Sequence, residues 1–412
     1  MNMFNKELLK ESKRFCLIPW IHMHTWPNGN TYMCCTSDPQ TPLGVLSKEN
    51  SLKHLWNSPQ MKKNRLAMLN DEYVPECSRC YEIEEFGGNS LRTDITRNFF
   101  HHIDKVDETL EDGTVEKMNL PYVDFRFSNF CNLRCRTCGP ELSSKWALDH
   151  NTLLGKPAGS VVVTKPDIPR EIFWEQIEEI IPTIESVYFA GGEPLLMEEH
   201  YKFLNLLIEH NKTNINLIYN TNLSNVVFKN THICDYWKKF DKVVVLASLD
   251  SWGPRAEYIR KGLTWSKAEK NIRDIKTLTP HVEFIIGVTL SVFNFATLVE
   301  YYDYMIDNNF ISYDNMNINI VTDPLWYKAN VVPLDFRLQV AEKYQEKIDF
   351  LTKNKLCGKT MLDRWELAKN YITAPFDAVN HEQFISLTKH LDKIRKESFT
   401  STFPELSFMF HE

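Results

Sequence analysis

The clearest pattern in the chain is Tyr122-Val123-Asp124-Phe125-Arg126-Phe127, where apolar and charged side chains alternate with the period of two that marks a strand. Five more short apolar or alternating runs follow, at 187–190, 215–219, 243–248, 282–290 and 317–321. Between them, residues 170–181, 198–210, 266–277 and 295–305 repeat apolar positions every three or four residues, as a helix with one buried face does. Phe173, Ile177, Ile180, Ile181 and Ile184 draw such a face, and Pro182 is expected to end that helix early. Strand and helix alternating from 120 to about 323 predict an α/β core, a parallel sheet covered by helices, with ligands held at the C-terminal ends of its strands.

The flanks read differently. Before the core, Pro27-Asn28-Gly29 sits between two apolar pieces and signals a hairpin. A helix over 52–69 then returns the chain to Cys77-Ser78-Arg79-Cys80. Residues 86–117 are polar and are expected to be a linker, with His101-His102 a surface pair and not a metal site. After the core, 335–351, 361–371 and 381–396 have amphipathic helical spacing and carry no motif tied to chemistry. That region is expected to cap the core or to form a dimer contact, and Cys357 within it to be an ordinary packed cysteine. The division expected is 1–85, 86–117, 118–325 and 326–412.

Composition narrows the function classes. With 412 residues, 43% of them hydrophobic, the chain can bury a sizeable core spread over two or three domains. The formal charge of −7 gives no global drive toward nucleic acid, which is not expected as a partner, and Lys62, Lys63 and Arg65 read as solvated surface. No apolar run approaches the roughly 18 residues of a membrane span, and the first ten residues lack a secretory apolar stretch. A cytoplasmic location without membrane attachment is the expectation.

Cysteine supplies the candidate chemistry. Eight of the ten cysteines fall in the first third of the chain, which in a cytosolic protein favours metal over disulfides. Cys131, Cys135 and Cys138 lie on one tight loop directly after the first core strand. Three thiolates there suit three irons of a [4Fe–4S] cube and leave the fourth iron open, while a zinc site would want a fourth ligand that is not at hand. One strand later comes Gly191-Gly192-Glu193-Pro194, a turn whose small residues admit close approach and whose carboxylate and carbonyls can accept hydrogen bonds from an ammonium group. Asn220, Thr221, Asn222, Ser248 and Asp250, at later strand ends, can hydrogen-bond ribose hydroxyls or an ammonium group.

The Cys-x3-Cys-x2-Cys loop followed by Gly-Gly-Glu-Pro resembles the radical S-adenosylmethionine (SAM) superfamily. The resemblance implies a partial (β/α)6 barrel, a [4Fe–4S] cluster on Cys131, Cys135 and Cys138, and reductive cleavage of SAM to a 5′-deoxyadenosyl radical that abstracts a substrate hydrogen. It further implies that Gly191, Gly192 and Glu193 grip the methionyl amine, that Ser248 and Asp250 lie near the ribose and methionyl parts, and that Arg260 pairs with the SAM carboxylate. Thr137 departs from the pattern, since the residue before the third cysteine is commonly aromatic and packs near adenine. An electron donor such as a flavodoxin or ferredoxin is implied as partner.

The N-terminal segment has a resemblance of its own. Cys16-x2-Pro19-Trp20, the glycine turn, Cys34-Cys35, Leu55-Trp56-Asn57-Ser58 and Cys77-x2-Cys80 together resemble the SPASM and twitch domains that bind auxiliary [4Fe–4S] clusters. Cys16, Cys34, Cys77 and Cys80 are the expected ligands of one such cluster, with Cys35 spare; a zinc site on the same four is the alternative. Proteins of this build often modify ribosomally made peptides, so peptide modification is the first expectation and oxidation of a sugar or small metabolite the second. A zinc-stapled binding protein without catalysis is the alternative of another class.

Overall fold

The computed structural model describes residues 6–85, 88–156 and 161–410. Met1 to Asn5 of the N-terminal segment, and the Phe86 and Gly87 with which the expected linker begins, lie outside the described residues. Six strands build the core: β4 (Tyr122–Phe125), β5 (Ser186–Phe189), β6 (Asn216–Thr221), β7 (Lys242–Ser248), β8 (Glu283–Leu290) and β9 (Met316–Ile320). Each pairs in parallel with the next, so the core sheet is wound in one direction in sequence order, as in a barrel left open. The expected strands are all present, with ends moved by one or two residues.

The edge of β4 is covered by the N-terminal segment. β1 (His24–Thr25) pairs with it in parallel, and β2 (Asn30–Tyr32) and β3 (Gly44–Val45) continue antiparallel, giving one nine-stranded sheet in the order β9-β8-β7-β6-β5-β4-β1-β2-β3. The sequence foretold the hairpin but not its union with the core. Across that seam, His24 Nδ1 lies 2.8 Å from Asp124 Oδ2, both side chains being buried. Burial works against the Asp124 charge, yet the adjacent His24 and Arg126 outweigh it and hold the carboxyl below its ordinary range.

Period-two alternation separates two faces. Leu217, Tyr219, Val243, Val245, Ala247, Ile286 and Val288 are buried under the helices, while Tyr188, Asn220 and Ser248 sit on the half-buried opposite face. The helix Arg170–Ile180 buries Trp174, Ile177 and Ile180 and gives way at Pro182 to a 3-10 turn, as expected from the ring's missing N–H. The helix expected over 52–69 is two: Leu52–Trp56, then Pro59–Leu69. Ser58 caps the second by accepting from Met61 N–H, and Pro59 takes the first helical position.

Two expectations from polarity are corrected by burial. Residues 88–117 are structured, with the helix Leu91–Asn98, the 3-10 helix Phe100–Glu108, and Ile95, Ile103, Val106 and Val115 in the core. Arg65 is no surface residue; it is fully buried over the Trp56 ring and donates to Pro19 O, Asn57 Oδ1 and Gly113 O.

The C-terminal helices Leu334–Asn354, Lys359–Ile372 and Ala378–Arg395 follow the expected spans. The last of them latches onto the cysteine loop. Arg136, between two of the loop's cysteines, is fully buried against Tyr258 and ion-pairs with Asp392 (2.5 Å) and Glu397 (2.8 Å). Lys261 reaches Glu397, and Arg134 and Arg395 share Asp149. Arg136→Ala leaves two poorly hydrated carboxylates facing each other, so a loss of about 3 kcal/mol is expected in denaturant unfolding, far above that of a surface Arg→Ala change. Among the described residues, no helix is long and apolar enough to cross a membrane.

Candidate functional site

The loop after β4 is held at both ends. Arg134 and Cys135 pair antiparallel with Lys261 and Arg260, and Trp146 Nε1 donates to Cys135 O at 2.7 Å. Leu133 is fully buried beneath the loop, and Ser143 Oγ donates to its carbonyl at 2.6 Å. Cys131, Cys135 and Cys138 consequently face one cleft at the C-terminal ends of the strands, lined also by Arg126, Tyr188, Gly191, Gly192, Asn220, Asn222, Ser248 and Arg260. Burial pushes the Cys131 and Cys138 thiols up to about 12. Their thiolates, the form that binds iron, therefore need a cation beside them.

The Gly-Gly-Glu-Pro turn is stitched to that loop. Glu193 N–H donates to Phe130 O at 2.8 Å, and Gly192 N–H to Ser128 O at 3.3 Å. Gly191 has φ +116, and a Cβ on Gly192 would lie 2.1 Å from Phe130 O. The two glycines line the cleft; the Glu193 carboxylate does not enter it. It accepts instead from Leu195 N–H (3.1 Å), Thr221 Oγ1 (2.7 Å) and Asn222 N–H (2.7 Å), and burial pushes it up to about 7. Glu193 thus ties the turn to the end of β6.

Arg260 and Asp250 form a second buried unit. Arg260 Nη2 lies 2.8 Å from Asp250 Oδ2, Asp250 Oδ1 accepts from Thr289 N–H at 2.8 Å, and Arg260 Nη1 reaches Cys135 Sγ at 3.7 Å. Arg260 lines the cleft, and its Nε is buried without a hydrogen bond. Asn222 Nδ2 contacts Cys131 Sγ at 3.7 Å. Sequence reasoning did not assign Arg126 or Tyr188 to the cleft. The strand period does, because Asp124, Arg126 and Tyr188 share the face of Asn220 and Ser248.

A second cavity lies in the N-terminal segment, lined by Cys16, Cys34, Cys77 and Cys80 with Ile18, Met33, Thr36, Leu91 and Arg92. Thr36 Oγ1 bridges Cys34 Sγ (3.3 Å) and Cys80 Sγ (3.7 Å). Leu91 and Arg92 come from the stretch read as a linker; Arg92 ion-pairs with Glu84 and donates to Ser12 O and Phe15 O. Burial raises the Cys16, Cys34 and Cys77 thiols. Cys35 is absent from this lining, and burial raises its thiol, with Cys34 and Asp124 adding to the rise. Cys34→Ser is therefore expected to remove about four irons from the reconstituted protein while Cys35→Ser keeps them, read by iron analysis.

The donor sets suit iron–sulfur clusters, with three thiols at one cavity and four at the other. Among the described residues, three metal-ligand atoms within 4.8 Å of one another occur only at His101, His102 and Glu185. Neither cysteine set gathers three sulfurs that closely.

Two family models and several solved structures show what the chain is similar to. Residues 125–305 match the model of the radical SAM superfamily, and residues 16–81 that of an iron–sulfur cluster-binding domain, SPASM. Among solved structures, the chain is similar to native anSMEcpe with bound AdoMet and Cp18Cys peptide, at 20% identity over 56% of this chain and 60% of that one, with a TM-score of 0.38. It is also similar to Streptococcus suis SuiB bound to precursor peptide SuiA, at 14% identity over 75% and 68%, with a TM-score of 0.40. The chain thus spans about 60% of the length of anSMEcpe. No curated protein matches it.

Proposed function

We propose that this chain, whose residues 125–305 match the radical SAM model and residues 16–81 the cluster-binding SPASM model, is an enzyme that uses SAM to abstract hydrogen from a peptide. Bound together, a [4Fe–4S] cluster and SAM supply an electron and a 5′-deoxyadenosyl radical. The chain's part is placement. Cys131, Cys135 and Cys138 hold the core cluster with one iron left for SAM. The Gly191 and Gly192 backbone, Ser248 and Arg260 surround its methionyl and ribose parts. Glu193 and Asp250 act one step back, fixing the turn and the guanidinium. Cys16, Cys34, Cys77 and Cys80 hold the auxiliary cluster; four protein ligands favour electron transfer over substrate binding there.

The observation that carries this reading is the convergence of three thiols, a glycine turn and a buried Arg–Asp pair on one cleft. Next to it, Tyr188, Asn220 and Arg126 offer the donors and acceptors that peptide amides use. The test is reductive SAM cleavage by the reconstituted enzyme with deuterated candidate peptides, a short precursor encoded beside the gene being the first. Deuterium in the released 5′-deoxyadenosine supports the reading. Deuterium transfer from a sugar or small metabolite, with none from any peptide, overturns the substrate class.

A further inference from the structure

We propose that His101, His102 and Glu185 form a site for one divalent ion of the zinc class, which staples residues 100–108 to the foot of the core sheet. The two histidines are neighbours on the 3-10 helix Phe100–Glu108, where consecutive side chains ordinarily diverge by about a third of a turn. Here they converge on the two oxygens of one carboxylate. His101 Nε2 is 3.0 Å from Glu185 Oε2, and His102 Nε2 is 2.9 Å from Glu185 Oε1.

The His101 contact has hydrogen-bond geometry. The His102 Nε2 atom is buried and approaches Glu185 Oε1 at 2.9 Å, so both ring nitrogens point at one carboxylate. Two imidazole nitrogens and a carboxylate oxygen within 4.8 Å of one another are a donor set that zinc accepts, with water in the fourth position. Phe99 lies nearly parallel to both rings, at 6.1 Å and 6.4 Å, and packs on Tyr122 at 5.7 Å, which fixes the pair against the sheet. His101 and Glu185 keep 58% and 44% of their side-chain surface exposed, so an ion can enter.

The position defines the role. Glu185 directly precedes β5, at the end opposite the Gly191-Gly192 turn. In β/α folds that end serves stability and the other serves chemistry. The ion would hold the segment that supplies Leu91 and Arg92 to the auxiliary cavity, without touching the SAM cleft.

Zinc titration of the reconstituted, iron-loaded protein tests this. One zinc equivalent is expected to stay bound through gel filtration, with X-ray absorption showing nitrogen and oxygen at about 2.0 Å and no sulfur at about 2.3 Å. His101→Gln, at an exposed position, and His102→Ala should each weaken zinc at least tenfold, with iron content and 5′-deoxyadenosine formation unchanged. No retained zinc, sulfur in the zinc shell, or equal affinity in both variants would each overturn the proposal. None of these results bears on the cluster sites, which iron content reports separately.

Discussion

Alanine in place of any one of Cys131, Cys135 or Cys138 is expected to drop 5′-deoxyadenosine formation to the level of a protein-free control. Each thiol faces the same cleft, and among the described residues no other cysteine lines it. Cys34 lines the other cavity, and Cys35 lines neither. A missing ligand therefore has no stand-in. The loop itself should survive, because its anchors are Leu133, Trp146, the Arg260 pairing and the Arg136 latch. Folded but inactive protein is the expected result, checked by circular dichroism beside the cleavage assay. Unchanged 5′-deoxyadenosine in any of the three variants would defeat the assignment of the core cluster.

Gly192→Ala is expected to cost nearly as much through a single methyl group. Its Cβ would fall 2.1 Å from Phe130 O and 2.6 Å from Phe130 C, both backbone atoms of the residue before Cys131. Neither yields as a flexible side chain would. The clash is relieved only by breaking the hydrogen bond from Glu193 N–H to Phe130 O, which separates the turn from the cysteine loop. A displacement near 1 Å at a reacting centre is worth about a hundredfold in rate, and a loss of at least that size in SAM cleavage is expected. Gly358→Ala is the control. Its Cβ would meet nothing nearer than 3.5 Å, so activity should match that of the parent.

Much of this was legible in the sequence for identifiable reasons. The core strands alternate because one face packs under helices and the other borders the cleft, so a period of two marks them to within two residues. The cysteine loop and glycine turn were legible because both obey local spacing. What escaped notice depends on distant partners. β1 joins β4 through backbone pairing that leaves no mark on either strand, although Asp124 beside the buried His24 hints at it. Residues 88–117 looked like a linker because their polar majority hides Ile95, Ile103 and Val106, spaced to bury one side. Arg65 looked like surface charge and Arg92 and Arg136 drew no notice, yet each is buried and paired by carbonyls, carboxylates or a ring that lies far away in sequence. Glu193 was expected at the ligand, and only the fold reveals that Thr221 and Asn222 donate to its carboxylate and tie the turn to β6.

The most direct test of two clusters in two cavities is the iron and sulfide content of the anaerobically reconstituted protein, measured beside a variant lacking Cys131, Cys135 and Cys138. The account predicts about eight irons falling to about four. About four falling to none would contradict the auxiliary cluster and return Cys16, Cys34, Cys77 and Cys80 to zinc or structure; no iron in either protein would contradict the enzyme itself.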